Sequence, residues 1–342
     1  MITRIEDAGS EALEAELREL EDRLDLDDLE EALHFPKYFQ VETTRVCNAR
    51  CPFCPVDVWD KSVPMMPDDL FEKIASEMSD YSDWINVVMV QRAGEPLLDK
   101  KIVSRVQRLK DANIKVVSMS TNASMLSRQK SEELLNAGLD EIMLSIDSVD
   151  RENYEKMRVQ LDYDTVLQNI ETLFEVRETL KPDLMVRVRG VSFFDLSKDE
   201  EAQELERWEG FWSRFRKPQD RIYMKRAHNW GNQIELDDRV TSEVEGTYGD
   251  VYHPCILPWS TMHITAMGTV ALCPMDYDGK MNLGNIHSES IAQVWRNPKW
   301  SWVRRLHESG NRNGIQFCHG CKLFDLDFSL EKKEDPKELY ES

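Results

Sequence analysis

Three cysteines stand close together in the first sixth of the chain, as Cys47, Cys51 and Cys54. Gaps of three and two residues bring three thiolates into one short loop, directly after the strand-like run 38–42. Thiolates are soft ligands that bind iron-sulfur clusters and zinc. Three of them leave one iron of a 4Fe-4S cube without a protein ligand. Zinc is the alternative, but zinc sites usually close a set of four with Cys-x-x-Cys pairs, so this spacing favours the cube.

Residues 46–54 closely resemble the cluster loop of the radical S-adenosylmethionine (radical SAM) family. The resemblance implies that the amino and carboxylate groups of SAM chelate the open iron, and that Phe53 packs near the adenine. One electron on this cluster would cleave SAM to methionine and a 5′-deoxyadenosyl radical, which takes a hydrogen atom from carbon. It also implies an external reductant of the flavodoxin or ferredoxin type.

A second motif of the same family follows at residues 92–96, Arg-Ala-Gly-Glu-Pro. It resembles the Gly-Gly-Glu-Pro motif, with Ala93 in place of the first glycine. In relatives this loop lies against the methionine amino group, so the resemblance implies that role for Gly94 and Glu95. Alone, such a sequence would be an ordinary turn, and its position after the cysteine loop gives it weight.

Polar side chains also follow the next predicted strands. Asn122 and Ser145 match family positions near the cofactor, and Asn122 and Asp147 are expected beside the substrate cavity. A turn or capping role suits the same residue types. Arg187 and Arg189 alternate on the fifth predicted strand and therefore share one face. We expect one of them to bind the cofactor carboxylate, with an external ion pair as the alternative.

Four further cysteines occupy the carboxyl-terminal part of the chain: Cys255, Cys273, Cys318 and Cys321. The first two flank a predicted hairpin at 263–272, and the last two form Cys-x-x-Cys. Four thiolates can saturate a second 4Fe-4S cube, or a structural zinc. With the run 283–295, the pattern resembles the shortened SPASM module called a twitch domain. Three ligands plus four use all seven thiols, so none is left to return a hydrogen atom, as radical epimerases commonly require.

Apolar, strand-like runs alternate with amphipathic helical stretches after residue 36. The predicted strands are 39–41, 87–91, 116–120, 141–145, 184–191 and 222–225. This alternation indicates an α/β protein with a parallel, barrel-like sheet. Barrel enzymes carry their chemistry on loops after the carboxyl ends of strands, where the first three cysteines stand. The family resemblance narrows the fold to a partial (β/α)6 TIM-like barrel.

Three regions are expected along the chain. Residues 1–35 are predicted to be an acidic helical extension, because leucines recur there at three- and four-residue spacing; we expect it to cap the barrel or extend into solvent. Residues 36–236 would form the partial barrel. Residues 237–342 would form the twitch/SPASM-like unit with an acidic tail, entered through a polar linker at 237–252.

The cysteine layout resembles that of twitch-domain dehydrogenases of aminocyclitol biosynthesis. The resemblance implies oxidation of a secondary alcohol of a small polyol (sugar, aminocyclitol or nucleoside type) to a ketone, with the second cluster accepting an electron. Candidates for the catalytic base are Arg189, Arg226 and His228 at the predicted barrel mouth. Two alternatives stay open: peptide modification, and redox-neutral loss of water, ammonia or carbon dioxide from a sugar.

The bulk composition excludes some classes. A formal net charge of −21 disfavours nucleic-acid binding, which needs a Lys/Arg surface to replace phosphate counterions. No signal sequence and no apolar run long enough for a membrane span is evident in the sequence, so we expect no membrane association. Clustered cysteines outside any disulfide pattern suit a reducing compartment, which indicates the cytoplasm.

Overall fold

The computed structural model describes residues 8–192, 198–226, 230, 233, 253–319 and 321. The strands are β1 (Tyr38–Val41), β2 (Val87–Met89), β3 (Val116–Thr121), β4 (Glu141–Ser145), β5 (Met185–Ser192), β6 (Arg221–Arg226), β7 (Thr261–Ile264) and β8 (Val270–Ala271). The α-helices are α1 (Ala8–Leu24), α2 (Asp68–Ser79), α3 (Ile102–Asp111), α4 (Arg128–Asn136), α5 (Arg151–Met157), α6 (Tyr163–Leu180), α7 (Lys198–Ser213), α8 (Leu257–Ser260), α9 (Ile291–Trp295) and α10 (Pro298–Glu308).

The strands form one sheet in the order β6-β5-β4-β3-β2-β1-β7-β8. Neighbours from β6 to β7 pair in parallel, and β7 and β8 are antiparallel. The predicted α/β class with a parallel-dominated sheet is confirmed, and all six predicted barrel strands are present. The predicted hairpin corresponds to β7 and β8. Because β7 pairs with β1, the carboxyl-terminal region continues the barrel sheet.

Strand residues with aliphatic side chains bury the outer face of the sheet under the helices. Val117, Ile142 and Val186, one from each of three neighbouring strands, are fully buried in a single apolar core. Polar side chains cap several of the covering helices: the Asp150 carboxylate accepts from the Asn153 backbone N–H at the start of α5. Such caps satisfy backbone donors that the first helical turn leaves free. Helix α5 thereby begins close behind β4, at the carboxyl edge of the sheet.

Helix α1 packs against the beginning of the carboxyl-terminal region. Its apolar residues Leu20 and Leu24 pack with Ile256, Leu257 and Trp259 at the start of the carboxyl-terminal region. These leucines contact an apolar surface beside the second group of cysteines, so the apolar face of α1 does not extend into solvent. The predicted linker at 237–252 lies outside the described residues. No helix among those described is both long and apolar enough to cross a membrane.

Candidate active site

The first three cysteines lie in the loop that follows β1. Cys51 is buried, and Cys47 and Cys54 are half-buried. The Cys54 N–H donates to the Cys51 carbonyl over 3.0 Å, and the Ala49 N–H points at Cys47 Sγ over 3.4 Å. Burial raises the pKa of Cys47 to about 11 and that of Cys54 further, with the neighbouring cysteines adding to the shift. The three thiols therefore interact electrostatically, as ligands of one cluster must.

Gly94 allows the second motif to press against the cysteine loop. Its φ is +72°, and a Cβ there would lie 2.6 Å from the Thr44 carbonyl oxygen and 2.8 Å from that of Val46. Any other residue would be strained in φ and would clash with backbone. Glu95 then donates its N–H to the Val46 carbonyl over 2.7 Å. The motif is thus fixed against the loop that carries Cys47.

The Glu95 carboxylate is buried and links the segment that follows β2 to the end of β3. It accepts hydrogen bonds from Thr121 Oγ1 at 2.6 Å, from the Asn122 N–H at 2.8 Å and from the Leu97 N–H at 3.2 Å. Burial nevertheless raises its pKa to about 7, against the lowering by these donors. A carboxyl with this pKa changes charge near neutral pH.

Asn122 also faces the cysteine loop. Its Nδ2 donates to Asn48 Oδ1 at 2.9 Å, and its Oδ1 accepts from Ser124 Oγ at 2.7 Å. Asn48 Nδ2 donates in turn to Ser124 Oγ at 2.8 Å. This triangle of polar side chains links the end of β3 to the loop between Cys47 and Cys51.

Arg158, at the end of α5, is a site residue that the sequence analysis missed. Its Nε and Nη2 donate to the two carboxylate oxygens of Asp147 at 2.5 and 2.8 Å, and its Nη1 lies 3.8 Å from Cys51 Sγ. The guanidinium also lies over the Phe53 ring, 5.2 Å from its centroid. Burial raises the pKa of Cys51, and Arg158 opposes that shift. A fixed cation therefore stands beside one thiol of the cluster loop.

Polar side chains on the inner face of the sheet form two layers, and the row of Met143 and Arg187 lies between them. The lower layer follows one register row through His263, Gln40, Met89, Ser118 and Glu141. In that layer the Glu141 carboxylate accepts from Ser118 Oγ at 3.1 Å and pairs with Arg187 Nε at 3.0 Å. Arg187, which pairs in register with Met143 one row higher, thus reaches down to Glu141 in the lower layer. This ion pair is largely buried, whereas the ion pair that the sequence offered as the alternative was external.

The upper layer lies nearer the carboxyl ends of the strands. Ser145, Arg189 and Tyr223 are register partners on β4, β5 and β6. Within the described part of the chain, Arg189 Nε has no hydrogen-bond partner. Burial lowers the pKa of Arg189, and the neighbouring Arg158 adds to that lowering. Of the predicted catalytic residues, His228 lies outside the described residues, and only the backbone of Arg226 is described, at the end of β6.

The other four cysteines also come together. All four line one cavity, whose empty space out to its solvent opening is about 450 Å³. Burial raises the pKa values of Cys255, Cys273 and Cys318, and the neighbouring cysteines add to each shift. The remaining wall is mostly apolar and includes Leu257 and Phe317, with His307 and Arg312 as the polar exceptions. We call this the auxiliary site.

A buried ionic seam joins the two cysteine sites. Arg92, in the second motif, donates to the backbone carbonyls of Tyr277 at 2.8 Å, Cys273 at 3.3 Å and Asp276. Its Nη1 also lies 3.6 Å from the buried Glu42 carboxylate. The Tyr277 ring packs in an apolar cluster that also contacts Cys47 and Cys54. The loop that carries one auxiliary ligand is therefore held against the loop that carries the first three.

Both donor sets fit iron-sulfur clusters. All seven cysteines are free thiols within the described residues. In that same part of the chain, no three His, Cys, Asp or Glu side chains converge as ligands of a single ion would. A cube distributes its thiolates over separate irons, so ligands that are grouped without meeting at one point are compatible with it.

The fold and the two thiol sites define a class of enzyme that uses SAM and iron-sulfur clusters. A family model of the radical SAM superfamily matches residues 41–198, and a model of the SPASM iron-sulfur cluster-binding domain matches residues 255–322. The chain therefore contains a radical SAM domain and, carboxyl-terminal to it, a SPASM iron-sulfur cluster-binding domain. Its cofactors are SAM, a 4Fe-4S cluster in the barrel and iron-sulfur in the SPASM domain. The predicted resemblances to the radical SAM family and to a SPASM-type domain are confirmed.

Curated proteins of similar sequence include GTP 3′,8-cyclases. The chain is 26% identical over 200 residues to a GTP 3′,8-cyclase of Campylobacter jejuni, covering 57% of this chain and 58% of that protein. It is 28% identical over 139 residues to a probable GTP 3′,8-cyclase of Methanococcus maripaludis, covering 40% and 45%. The chain thus spans about half the length of these curated relatives.

Solved structures share the fold. BtrN in complex with AdoMet and 2-DOIA superposes with a TM-score of 0.57 at 17% identity, covering 87% of this chain and 96% of BtrN. Streptococcus suis SuiB bound to precursor peptide SuiA gives 0.60 at 15% identity, covering 79% and 67%. AnSMEcpe with bound AdoMet gives 0.57 at 14% identity, covering 83% and 88%. At these identities the likeness extends to the fold alone.

Proposed function

We propose that this protein is a radical SAM dehydrogenase that oxidises a secondary alcohol of a small polyol to a ketone. In this proposal Cys47, Cys51 and Cys54 hold the SAM-binding cluster, and the auxiliary site holds a second 4Fe-4S cluster. The SAM-binding cluster would supply a 5′-deoxyadenosyl radical for removal of the carbinol hydrogen. The auxiliary cluster would accept the electron that the substrate radical loses together with a proton.

The observation that carries the proposal is the auxiliary site with its four thiols. Four cysteines would leave no iron open to the substrate, which favours electron transfer over direct binding. The seam formed by Arg92 and Tyr277 keeps this site next to the first three cysteines. An electron acceptor beside the radical site suits a net two-electron oxidation.

The upper layer of the barrel is the proposed substrate site. Arg189 and Tyr223 offer a guanidinium and a phenol on two adjacent strands, next to the cofactor candidate Ser145. Such groups match the hydroxyls of a polyol. Since arginine keeps its proton in proteins, we propose that Arg189 stabilises the developing alkoxide rather than removing the proton. Arg226 and His228 stay candidates for the base.

The cofactor contacts are proposed from the same geometry. Phe53, Gly94, Glu95, Asn122 and Ser145 would line the SAM site, because each lies beside the first cysteine loop or on a strand that ends there. Arg158 would add a positive charge beside Cys51. We further propose a flavodoxin or ferredoxin as reductant and a cytoplasmic location, since both clusters need reduced thiols.

A peptide substrate is the second candidate. It is favoured by the shared fold with SuiB, which was crystallised with a precursor peptide. The GTP 3′,8-cyclase relatives make a redox-neutral reaction on a nucleotide the third outcome to test.

The test uses reconstituted, anaerobic holoenzyme with SAM, a chemical reductant, and panels of polyols, nucleotides and peptides. We expect deuterium from the carbinol carbon of a polyol to appear in 5′-deoxyadenosine, and the product to be lighter by two hydrogens. Product of unchanged mass, or turnover of peptides or nucleotides alone, would contradict the proposal.

Two cysteine variants separate the sites in this assay. Cys51→Ala should abolish SAM cleavage. Cys318→Ala should keep SAM cleavage but lose the oxidised product, because the electron has no acceptor. If Cys318→Ala still forms ketone at the original rate, the auxiliary cluster is not the acceptor.

A further inference from the structure

His307, on α10, connects two residues of the auxiliary site. The ring is fully buried and lines the same cavity as the four cysteines. Its Nδ1 lies 3.0 Å from the backbone nitrogen of Cys255. Its Nε2 lies 3.6 Å from Cys318 Sγ, a distance typical of hydrogen bonds to sulfur. One imidazole thus faces two residues that are 63 positions apart in sequence.

The backbone contact determines where the imidazole proton lies. A backbone N–H can only donate, so Nδ1 must present a lone pair to Cys255. The proton of a neutral imidazole is then on Nε2, which points at Cys318 Sγ. This tautomer is assigned from the hydrogen-bond partners. His307 is therefore a donor toward the thiolate of Cys318.

We propose that His307 tunes the auxiliary cluster: its Nε2–H donates a hydrogen bond to the Cys318 thiolate and raises the reduction potential of the cluster. Reduction adds negative charge, and hydrogen bonds to the sulfurs stabilise the more negative state. Apart from Arg312, the other wall residues are apolar, which disfavours added charge and strengthens the effect of a hydrogen-bond donor. Arg312, which donates to the Cys321 carbonyl, acts in the same direction.

A higher potential makes the cluster a better electron acceptor. That consequence rests on the proposed function, whereas the hydrogen bond and its effect on the potential rest on the auxiliary cluster alone. His307 is a positioning residue, since it reaches the reaction through a cluster ligand. Its test therefore measures a potential and leaves product formation aside.

The decisive variants are His307→Asn and His307→Gln. The shorter Asn amide lies where Nδ1 lies and can accept from the Cys255 N–H, but it does not reach Cys318. The longer Gln amide can place an N–H where Nε2 lies. Both are made in full-length protein that also carries Ala at Cys47, Cys51 and Cys54, so that the auxiliary cluster gives the whole paramagnetic signal.

Midpoint potentials are measured by redox titration followed by electron paramagnetic resonance, with iron content as a check on cluster assembly. We expect His307→Asn to keep its iron and to shift the midpoint potential downward. His307→Gln should lie closer to the unsubstituted value. An unchanged potential in His307→Asn would overturn the proposal.

A second measurement needs no substitution at His307. Protein labelled with ring-¹⁵N histidine is reduced, and pulsed electron paramagnetic resonance is used to detect magnetic coupling between the cluster and nitrogen. We expect a coupling transmitted through the Nε2–H···S contact. Absence of any histidine coupling would overturn the proposal even if both variants fail to assemble a cluster.

Discussion

The two cysteine sites of this protein differ in what surrounds the thiols. The first site has charged and amide groups next to it: the Arg158–Asp147 pair, the Glu95 carboxyl and the Asn48–Asn122 contact. The auxiliary site has a mostly apolar wall. Charged groups suit a site that must bind and orient a charged molecule in each turnover. An apolar wall suits a resident cluster that stays bound and exchanges electrons.

Both sites share one property that links metal binding to folding. Burial raises the pKa values of their thiols, which disfavours the thiolate form. Cluster ligands must be thiolates, so the positive irons must supply the stabilisation that the protein lacks. The two sites differ in the side chains that surround the thiols, and each of the following variants changes those side chains.

The largest effect is expected from the ion pair beside the first site. Arg158→Met leaves the buried Asp147 carboxylate without its partner and should lower the free energy of unfolding by about 3–5 kcal/mol. Arg151→Met removes an exposed pair with Asp164 and should change it by less than about 1 kcal/mol. Denaturant unfolding of anaerobic holoprotein measures both. Equal losses of stability in Arg158→Met and Arg151→Met would contradict a buried ion pair at the first site.

A smaller effect, with a defined pH dependence, is expected from Glu95. Its pKa is raised from 4.5 to about 7 by burial, so between these pH values the folded protein keeps a proton that the unfolded chain has lost. Stability from this group is therefore fully present below about pH 4.5 and is lost as pH rises through about 7. The loss is on the order of 3 kcal/mol.

Glu95→Gln tests this by removing the titration. The free energy of unfolding is measured between about pH 5 and pH 8, and the slope is compared rather than the absolute value, since an amide NH₂ would face the Asn122 N–H. We expect the variant to lose less stability than the unsubstituted protein as pH rises. The exposed control Glu152→Gln should leave the slope unchanged. A parallel decline in all three proteins would rule out Glu95 as its source.

The smallest effect is expected at the seam between the sites. Arg92→Lys replaces a guanidinium that donates to three backbone carbonyls with a single ammonium. We expect the free energy of unfolding to fall by about 1–3 kcal/mol. It should also alter the paramagnetic spectrum of the auxiliary cluster, because the Cys273 carbonyl loses a donor. Arg108→Lys, at a surface pair with Glu72, is the control with neither effect. An unaltered auxiliary spectrum in Arg92→Lys would mean that the seam does not position that cluster.

Sequence reasoning succeeded where chemistry is local. Cys47, Cys51 and Cys54 share one loop, and Gly94 and Glu95 share one turn, so short spacing was enough to group them. Alternation along β5 placed Arg187 and Arg189 on one face, which the structure bears out. Alternation could not tell that Arg187 meets Glu141 one layer below, because that pairing depends on the neighbouring strand.

The missed residues have in common that their partners are distant in sequence. Arg158 is separated from Cys51 by 107 positions, and Arg92 from Cys273 by 181. Nothing in the local pattern around Arg158 distinguishes it from a surface arginine. His307 likewise lies in no local motif, since its two contacts come from different segments.

The sequence by itself determined the two groups of cysteines, the six barrel strands and the family resemblance, because cysteine spacing and hydrophobic periodicity are properties of short segments. Tertiary structure alone decided the surroundings of each site: Arg158 beside Cys51, His307 between Cys255 and Cys318, and Arg92 across the seam. Electrostatic and hydrogen-bond energies depend on distance through space and on local dielectric. Those quantities exist only once the strands have paired and the carboxyl-terminal region has joined β1.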